Sequence, residues 1–231
     1  MNDVRMQHSR GTFSIFAILA MFMLGLLLVQ GLGFVFIQLG IPPWLVLIIV
    51  PGSLLGSLVN IPVTTIQSDP EACQYEYVSV WGLQYKVSLE DCPGETKISV
   101  NLGGAVIPVI VSGYLLLVNP IDILPSLLAI VIVAVFVKSI ARVEPEVGII
   151  TPALLPPLIA ALTAMGLMLF FPGVVDGYVI AYVSGTLGTL IGADLLNIPR
   201  LGELRTSQAS IGGAGTWDGV FLTGILAVFL L

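Results

Sequence analysis

Two carboxylates stand out in a chain with few charges: Asp194, in Gly192-Ala193-Asp194-Leu195, and Asp218, in Gly213-Ala214-Gly215-Thr216-Trp217-Asp218-Gly219. Two facing carboxylates in a low-dielectric setting do not both ionise easily, so one keeps its proton near neutral pH. Aspartyl hydrolysis needs that state: the ionised partner activates water while the protonated one polarises the scissile carbonyl. Asp194 and Asp218 are therefore the candidate catalytic pair. Gly192, Gly213, Gly215 and Gly219 would let a substrate backbone come close. With Thr216, Trp217, Asn197, Asn101 and Pro152 they form the candidate substrate-binding set. No metal and no cofactor are expected. The same two acids also admit a structural role, with Asp194 solvated at an interface and Asp218 as the N-cap of a short final helix.

What must position these residues is a membrane bundle. Of 231 residues, 57% are hydrophobic and 10% are charged, and the mean hydropathy is +1.05. A soluble domain carries roughly a quarter charged residues. Crossing the hydrocarbon core takes ~20 apolar residues. Such runs occur at Phe13–Leu39, Trp44–Ile66, Ile98–Val118, Ile121–Ala141, Ile149–Phe171, Val174–Asn197 and Ser210–Leu231. The expected fold is an all-α polytopic membrane protein in which residues 1–231 form a single transmembrane bundle of about seven helices. The first segment follows Arg5 and Arg10 as a signal peptide would, but its apolar stretch is too long for a cleaved one.

Charge placement gives the orientation. With seven crossings, the amino terminus and the second, fourth and sixth loops share one side. That side holds Arg5, Arg10, Lys86, Lys97, Lys138, Arg142, Arg200 and Arg205, which are all the basic residues in the chain. The opposite loops, near Gly40, Asn119 and Pro172, hold none. Positive-inside bias then places the amino terminus in the cytoplasm and Leu231 outside. The expected location is the cell membrane. Only 13 residues follow Asp218, covering ~20 Å at 1.5 Å each against a core of ~30 Å. A spanning last helix would thus hold Asp218 below the cytoplasmic boundary, and Asp194 can reach a similar level.

The one long polar loop, 67–97, is expected to be cytoplasmic and to carry a β-hairpin. Tyr75–Val80 and Gln84–Leu89 alternate as strands do, and Trp81-Gly82 supplies the turn. Cys73 and Cys92 bracket it. That spacing suits a bridge across the hairpin, and a cytoplasmic setting suits two reduced thiols; both readings stay open. Without nearby histidines they make a poor zinc site.

The chain also echoes itself. Gly52–Pro62 resembles Gly188–Pro199, and Leu102-Gly103-Gly104-Ala105 resembles Ile211-Gly212-Gly213-Ala214. Residues 41–118 and 174–231 therefore read as a possible repeat in the same direction, as in parallel-repeat membrane folds.

At the two acids a family likeness enters. Gly215-Thr216-Trp217-Asp218-Gly219-Val220-Phe221 resembles the Gly-x-Gly-Asp segment of presenilins and signal peptide peptidases, which follows an earlier helix carrying Asp before an apolar residue, here Asp194-Leu195. The likeness implies an intramembrane aspartyl protease acting on a membrane-embedded peptide or protein. Thr216 stands where that family has Gly, Ala193 where it has Tyr, and Pro152-Ala153-Leu154 precedes the acids where the family's Pro-Ala-Leu follows them. Over its whole length the chain more closely resembles a domain-of-unknown-function family of prokaryotic multi-pass membrane proteins. That match rests on Gly-Ser-Leu-Val-Asn-Ile-Pro at 56–62, Asn-Leu-Gly-Gly-Ala at 101–105, Gly-Ala-Asp-Leu at 192–195 and Gly-Gly-Ala-Gly-Thr-Trp-Asp-Gly at 212–219.

Other chemistries are poorly supplied. The single histidine, His8, lies in the polar amino-terminal tail, which disfavours Ser–His proteolysis, haem ligation and His-Glu-x-x-His metalloproteolysis. There is no phosphate-cradling glycine loop of the Gly-Lys-Ser type and no basic patch for nucleic acid. Partners are expected to be membrane lipid and a membrane-embedded substrate. Two other classes stay in view. One is an ion-coupled solute carrier lined by Asn60, Asn101, Asn197, Asp194 and Asp218, with Pro43, Pro51, Pro108, Pro156 and Pro157 breaking helices around it. The other is a structural protein whose Asn and Asp residues join helices.

Overall fold

Long runs of Leu, Ile, Val and Ala free of charge form helices here, and β-branched ends of those runs form strands. In the computed structural model the described residues are 10–67, 75–80, 83–88, 94–144, 148–204, 206–213 and 219–231. The chain divides into two units, Met1–Val46 and Leu47–Leu231. In the first, α1 (Arg10–Gln38) ends on Gly40, whose φ of 67° lets the Gly40 and Ile41 N–H groups close back on the Ile37 and Phe36 carbonyls. Helix α2 (Pro43–Gly56) begins there and continues into the second unit.

In the second unit β1 (Asn60–Gln67) follows α2, and a hairpin of β2 (Tyr75–Val80) and β3 (Leu83–Ser88) leads to β4 (Glu95–Asn101). A π-turn, Leu102–Val106, opens α3 (Ile107–Val118). A 3-10 turn, Pro120–Asp122, opens α4 (Ile123–Ile140). The short pair β5 (Arg142–Glu144) and β6 (Gly148–Ile150) precedes α5 (Leu155–Phe170). Helix α6 (Gly177–Val183) runs on through π-segments Ser184–Gly188 and Leu190–Asp194 into a 3-10 stretch, Leu195–Glu203. Strand β7 (Gln208–Ile211) and α7 (Gly219–Phe229) complete the order.

The all-α expectation is corrected by this order. A three-stranded sheet, β1-β4-β7, takes up residues expected at the ends of the second, third and seventh helices. The physical reason lies in Ile61-Pro62-Val63-Thr64-Thr65-Ile66 and Ile98-Ser99-Val100: these segments are apolar, but their β-branched side chains are stiff at χ1 and suit a pleated surface. β1 pairs with β4 antiparallel, with an irregularity at Pro62/Thr64, and β4 pairs with β7 parallel. Pro62 sits on the outer strand, where a missing N–H costs least. The expected hairpin strands are present at 75–80 and 83–88, paired antiparallel. Its turn, Trp81-Gly82, and both cysteines lie outside the described residues.

Among the described residues, Pro120–Ile140 and Gly177–Leu201 are helices long and apolar enough to cross a membrane, and Pro43–Gly56, Leu102–Val118, Leu155–Phe170 and Gly219–Phe229 are shorter apolar ones. Small residues share the interior with large ones such as Tyr182 and Phe221, and many large apolar side chains also face outward. Ala129, Ala134, Ala160, Ala161, Ala164, Ala181 and Ala227 are buried, while Leu117, Leu124, Leu169 and Phe170 are about four-fifths exposed. Small buried residues let helices approach closely: a Cβ on Gly188 would fall 2.7 Å from Val133 Cβ, and one on Gly192 would fall 2.5 Å from the Ala134 carbonyl oxygen.

The second unit has two distinct ends. Lys97, Lys138, Arg142 and Arg200 lie on or beside the strands and the 3-10 stretch, over a small core of Ile98, Leu201 and Leu204. At the other end the loops after α3 and α5 are tied together, since the nearly buried Asp122 accepts the Asp176 N–H at 2.9 Å and Asp176 caps α6 through the Tyr178 and Val179 N–H groups.

Candidate functional site

Asp194 is delivered by the second π-segment of the broken α6, at its turn into 3-10 geometry. Its carboxylate Oδ2 accepts the Gly212 N–H at 2.7 Å. A side chain on a helix end therefore holds the first residue after β7, which has a φ of 70°. Glycine is required there twice over, because a Cβ would also lie 2.5 Å from Ala105 Cβ. Asp194 is half-buried and borders a cavity of about 20 Å³, with Ile149, Leu201, Ala209, Ser210 and Ile211 as the other walls. That volume is about one water molecule.

Beside this acid the two echoed glycine turns meet. Gly213 packs on Asn101, where a Cβ would lie 2.7 Å from Asn101 Cγ, and Gly212 packs on Ala105. Asn101 is fully buried. Its Oδ1 accepts the Gly104 N–H at 2.8 Å, and its Nδ2 donates to the Ser57 carbonyl at 2.7 Å and to Asn60 Oδ1 at 2.9 Å. Ser210 Oγ donates to the same Asn60 oxygen at 2.6 Å. One amide oxygen on β1 thus gathers β4 and β7. Asn101 and Ser210 stand directly before the two similar triplets, Leu102-Gly103-Gly104 and Ile211-Gly212-Gly213 respectively, and both donate to Asn60 Oδ1.

The remaining candidate residues divide. Asn197 is buried and braces the broken helix: Nδ2 donates to the Gly192 and Ala193 carbonyls, and Oδ1 accepts from Lys138 Nζ. Gly192 is the close-packing point against α4. Gly219 opens α7 with nothing near its Cβ position. Pro152 is exposed and lines a different groove, with Arg142. Gly215, Thr216, Trp217 and Asp218 lie outside the described residues. The structure therefore brings Asp194, Gly213 and Asn101 into one neighbourhood, with Gly192 and Asn197 on the adjoining turn and Pro152 elsewhere.

Sequence reasoning passed over Ser210, Lys138 and the Asp122–Asp176 tie. The echo itself held the signal for Ser210, since it occupies the position of Asn101. Lys138 donates to both Asn197 Oδ1 and the Leu196 carbonyl, at the start of the 3-10 stretch. Replacing it by Met strands a buried acceptor. Lys138→Met is expected to lower stability by about 1–3 kcal/mol, read as a shift of the thermal transition in detergent; an unchanged transition would show that water satisfies Asn197 instead.

A second polar feature is a set of buried hydroxyls, three on α6 and its continuation and one each on α3 and α4. The hydroxyls of Ser112, Ser126, Tyr182, Thr186 and Thr189 are buried and lack a well-formed hydrogen bond among the described residues. The Tyr182 hydroxyl lies alongside that of Thr186. Both flank Gly224 of α7, where a Cβ would meet Thr186 Oγ1 at 2.2 Å. No group of three metal-ligating side chains occurs among the described residues.

A family model described as "Protein of unknown function (DUF1614)" matches residues 54–230. No curated protein and no solved structure matches the chain.

Proposed function

We propose that this chain, which belongs to the DUF1614 family, is a multi-pass protein of the cell membrane that hydrolyses membrane-embedded peptides with Asp194 and Asp218. Three observations support the membrane half of the reading: many large apolar side chains exposed on the surface, two helices of spanning length, and cations gathered at the sheet end. Hydrocarbon solvates the large side chains, and close helix contact replaces the hydrophobic effect as the source of cohesion. The seven apolar runs supply seven crossings, and the charge partition puts the sheet end in the cytoplasm. With Cys73 and Cys92 replaced by Ser, a cysteine at Gly173 should react with an impermeant maleimide from outside intact cells. A cysteine at Ser207 should react only after permeabilisation. The opposite pattern would invert the topology.

The observation that carries the enzymatic half is the Gly212 N–H donated to Asp194. It ties the first carboxylate to the segment that reaches the second six positions later. A space of one water's volume adjoins it. In the reaction, the ionised acid takes a proton from that water as its oxygen adds to the scissile carbonyl. The protonated acid hydrogen-bonds the carbonyl oxygen, and the proton passes to the departing amine as the C–N bond breaks. The purified full chain in proteoliposomes, given transmembrane reporter peptides, should release two fragments whose masses sum to substrate plus water. No fragment from any reporter in a varied panel would count against hydrolysis.

A carrier is the second reading, favoured by the buried hydroxyls of Tyr182, Thr186 and Thr189 on the twice-broken α6, with those of Ser112 on α3 and Ser126 on α4. π-segments often mark functional positions. It requires cation-coupled solute uptake with no peptide product, so the same proteoliposomes distinguish the two.

A further inference from the structure

A second pocket, at the cation-bearing end, shares no lining residue with the cavity beside Asp194. It holds about 540 Å³ and is lined by Ser139, Ile140, Arg142, Ile150, Thr151 and Pro152. Arg142 stands opposite Ile150 in the β5–β6 pair, and cross-strand partners project to the same face. Its guanidinium is exposed and meets no carboxylate among the described residues. Thr151, half-buried on the adjoining turn, has a hydroxyl without a hydrogen-bond partner among those residues. Ser139 Oγ donates to the Phe136 carbonyl and keeps its lone pairs free. The rest of the wall is apolar.

We propose that this groove is a phosphate-group site, taking the headgroup phosphate of an anionic phospholipid with Arg142 as its principal donor. A planar guanidinium offers two parallel N–H groups to two phosphate oxygens. The Thr151 hydroxyl supplies a third donor, and Ile140, Ile150 and Pro152 receive the first carbons of the lipid. Two features oppose an anion. The carbonyl end of α4 lies at the groove, a dipole effect of modest size that Lys138 in the last turn offsets. Glu144 lies two residues along β5 and shares the strand face of Arg142. The bidentate contact outweighs both, and the anionic cytoplasmic leaflet supplies the ligand at high local concentration. Free phosphate presents the same oxygens and is the alternative source.

The test uses delipidated full-length protein in neutral detergent, titrated with dioctanoyl-phosphatidylglycerol, dioctanoylglycerol or inorganic phosphate. Retained ligand is counted by native mass spectrometry. The phosphatidylglycerol should bind at least about tenfold more weakly to Arg142→Gln, a step of about 1.4 kcal/mol, with Arg142→Lys intermediate and Glu144→Gln tighter than the unmodified chain. Each variant's thermal transition verifies folding. Dioctanoylglycerol should not bind at the site. Inorganic phosphate that binds alone, with no retention of the lipid, would keep the phosphate-group assignment and move its source to the soluble pool. Equal retention by Arg142→Gln and the unmodified chain, or dioctanoylglycerol binding as well as the phospholipid, would overturn the site.

Discussion

Asp194→Asn and Asp218→Asn are each expected to slow cleavage of a membrane-embedded reporter peptide by about a thousandfold, within the range that loss of an acid–base group produces. The substitution separates chemistry from architecture. Asp194 also anchors the Gly212 N–H, and an Asn oxygen still accepts that bond, so the variant should fold with a loss of only about 1 kcal/mol for the weaker neutral acceptor. Asp194→Ala removes the acceptor as well and should lose both activity and part of its thermal stability. Wild-type cleavage by Asp194→Asn would remove this carboxylate from the mechanism. Loss of cation-coupled uptake in the same variant, with no peptide product from any chain, would transfer the site to the carrier reading.

Gly103→Ala should produce the largest change in stability, at least about 3 kcal/mol, the upper end of ordinary overpacking. The π-turn brings Gly103 so near α2 that a Cβ would lie 1.9 Å from the Ser53 carbonyl oxygen and 2.3 Å from the Ser57 nitrogen. Those two atoms are already bonded to each other at 2.9 Å, and Ser53 Oγ donates to the Gly103 carbonyl at 2.7 Å. No rotamer relieves a clash between backbones. Gly113, an exposed position within α3 with nothing near its Cβ, is the matched control: Gly113→Ala should leave the transition unchanged or raise it, since it only removes unfolded-state freedom. A melting curve for Gly103→Ala that matches Gly113→Ala would show that α2 and the turn separate easily.

The helices were legible because hydropathy reads transfer into an apolar phase, and uninterrupted runs such as Ile121–Ala141 have no other outlet for their side chains. Their ends were not. Asn60–Ile66 and Ile98–Val100 carry enough Ile and Val to extend the apolar runs they adjoin, and hydropathy does not record whether the next backbone hydrogen bond is local or to another strand. The candidate site shows the same division. Asp194 drew notice because an acid in an apolar run is costly. Asn101 and Asn197 drew notice for the same reason, but residue type does not reveal that each amide is saturated by neighbouring backbone and side chains. Ser210 stands at the echo position of Asn101, but its bond to Asn60 depends on β7 lying beside β4, which no local pattern records. The groove at Arg142 depends on two three-residue strands meeting, a matter of chain path that no local pattern encodes.

The parallel joining of β4 to β7 sets an order of manufacture. β7 emerges roughly a hundred residues after β4, an interval of about 5–20 s at ordinary rates of synthesis. Until then the Thr96 and Ser99 hydroxyls lack the carbonyls of Thr206 and Ala209, and one side of the early β1–β4 ribbon offers a raw row of amide groups to any passing strand. The half-made molecule therefore leaves β4 as an edge that β7 later covers, and arrested chains ending near residue 200 should self-associate through that margin.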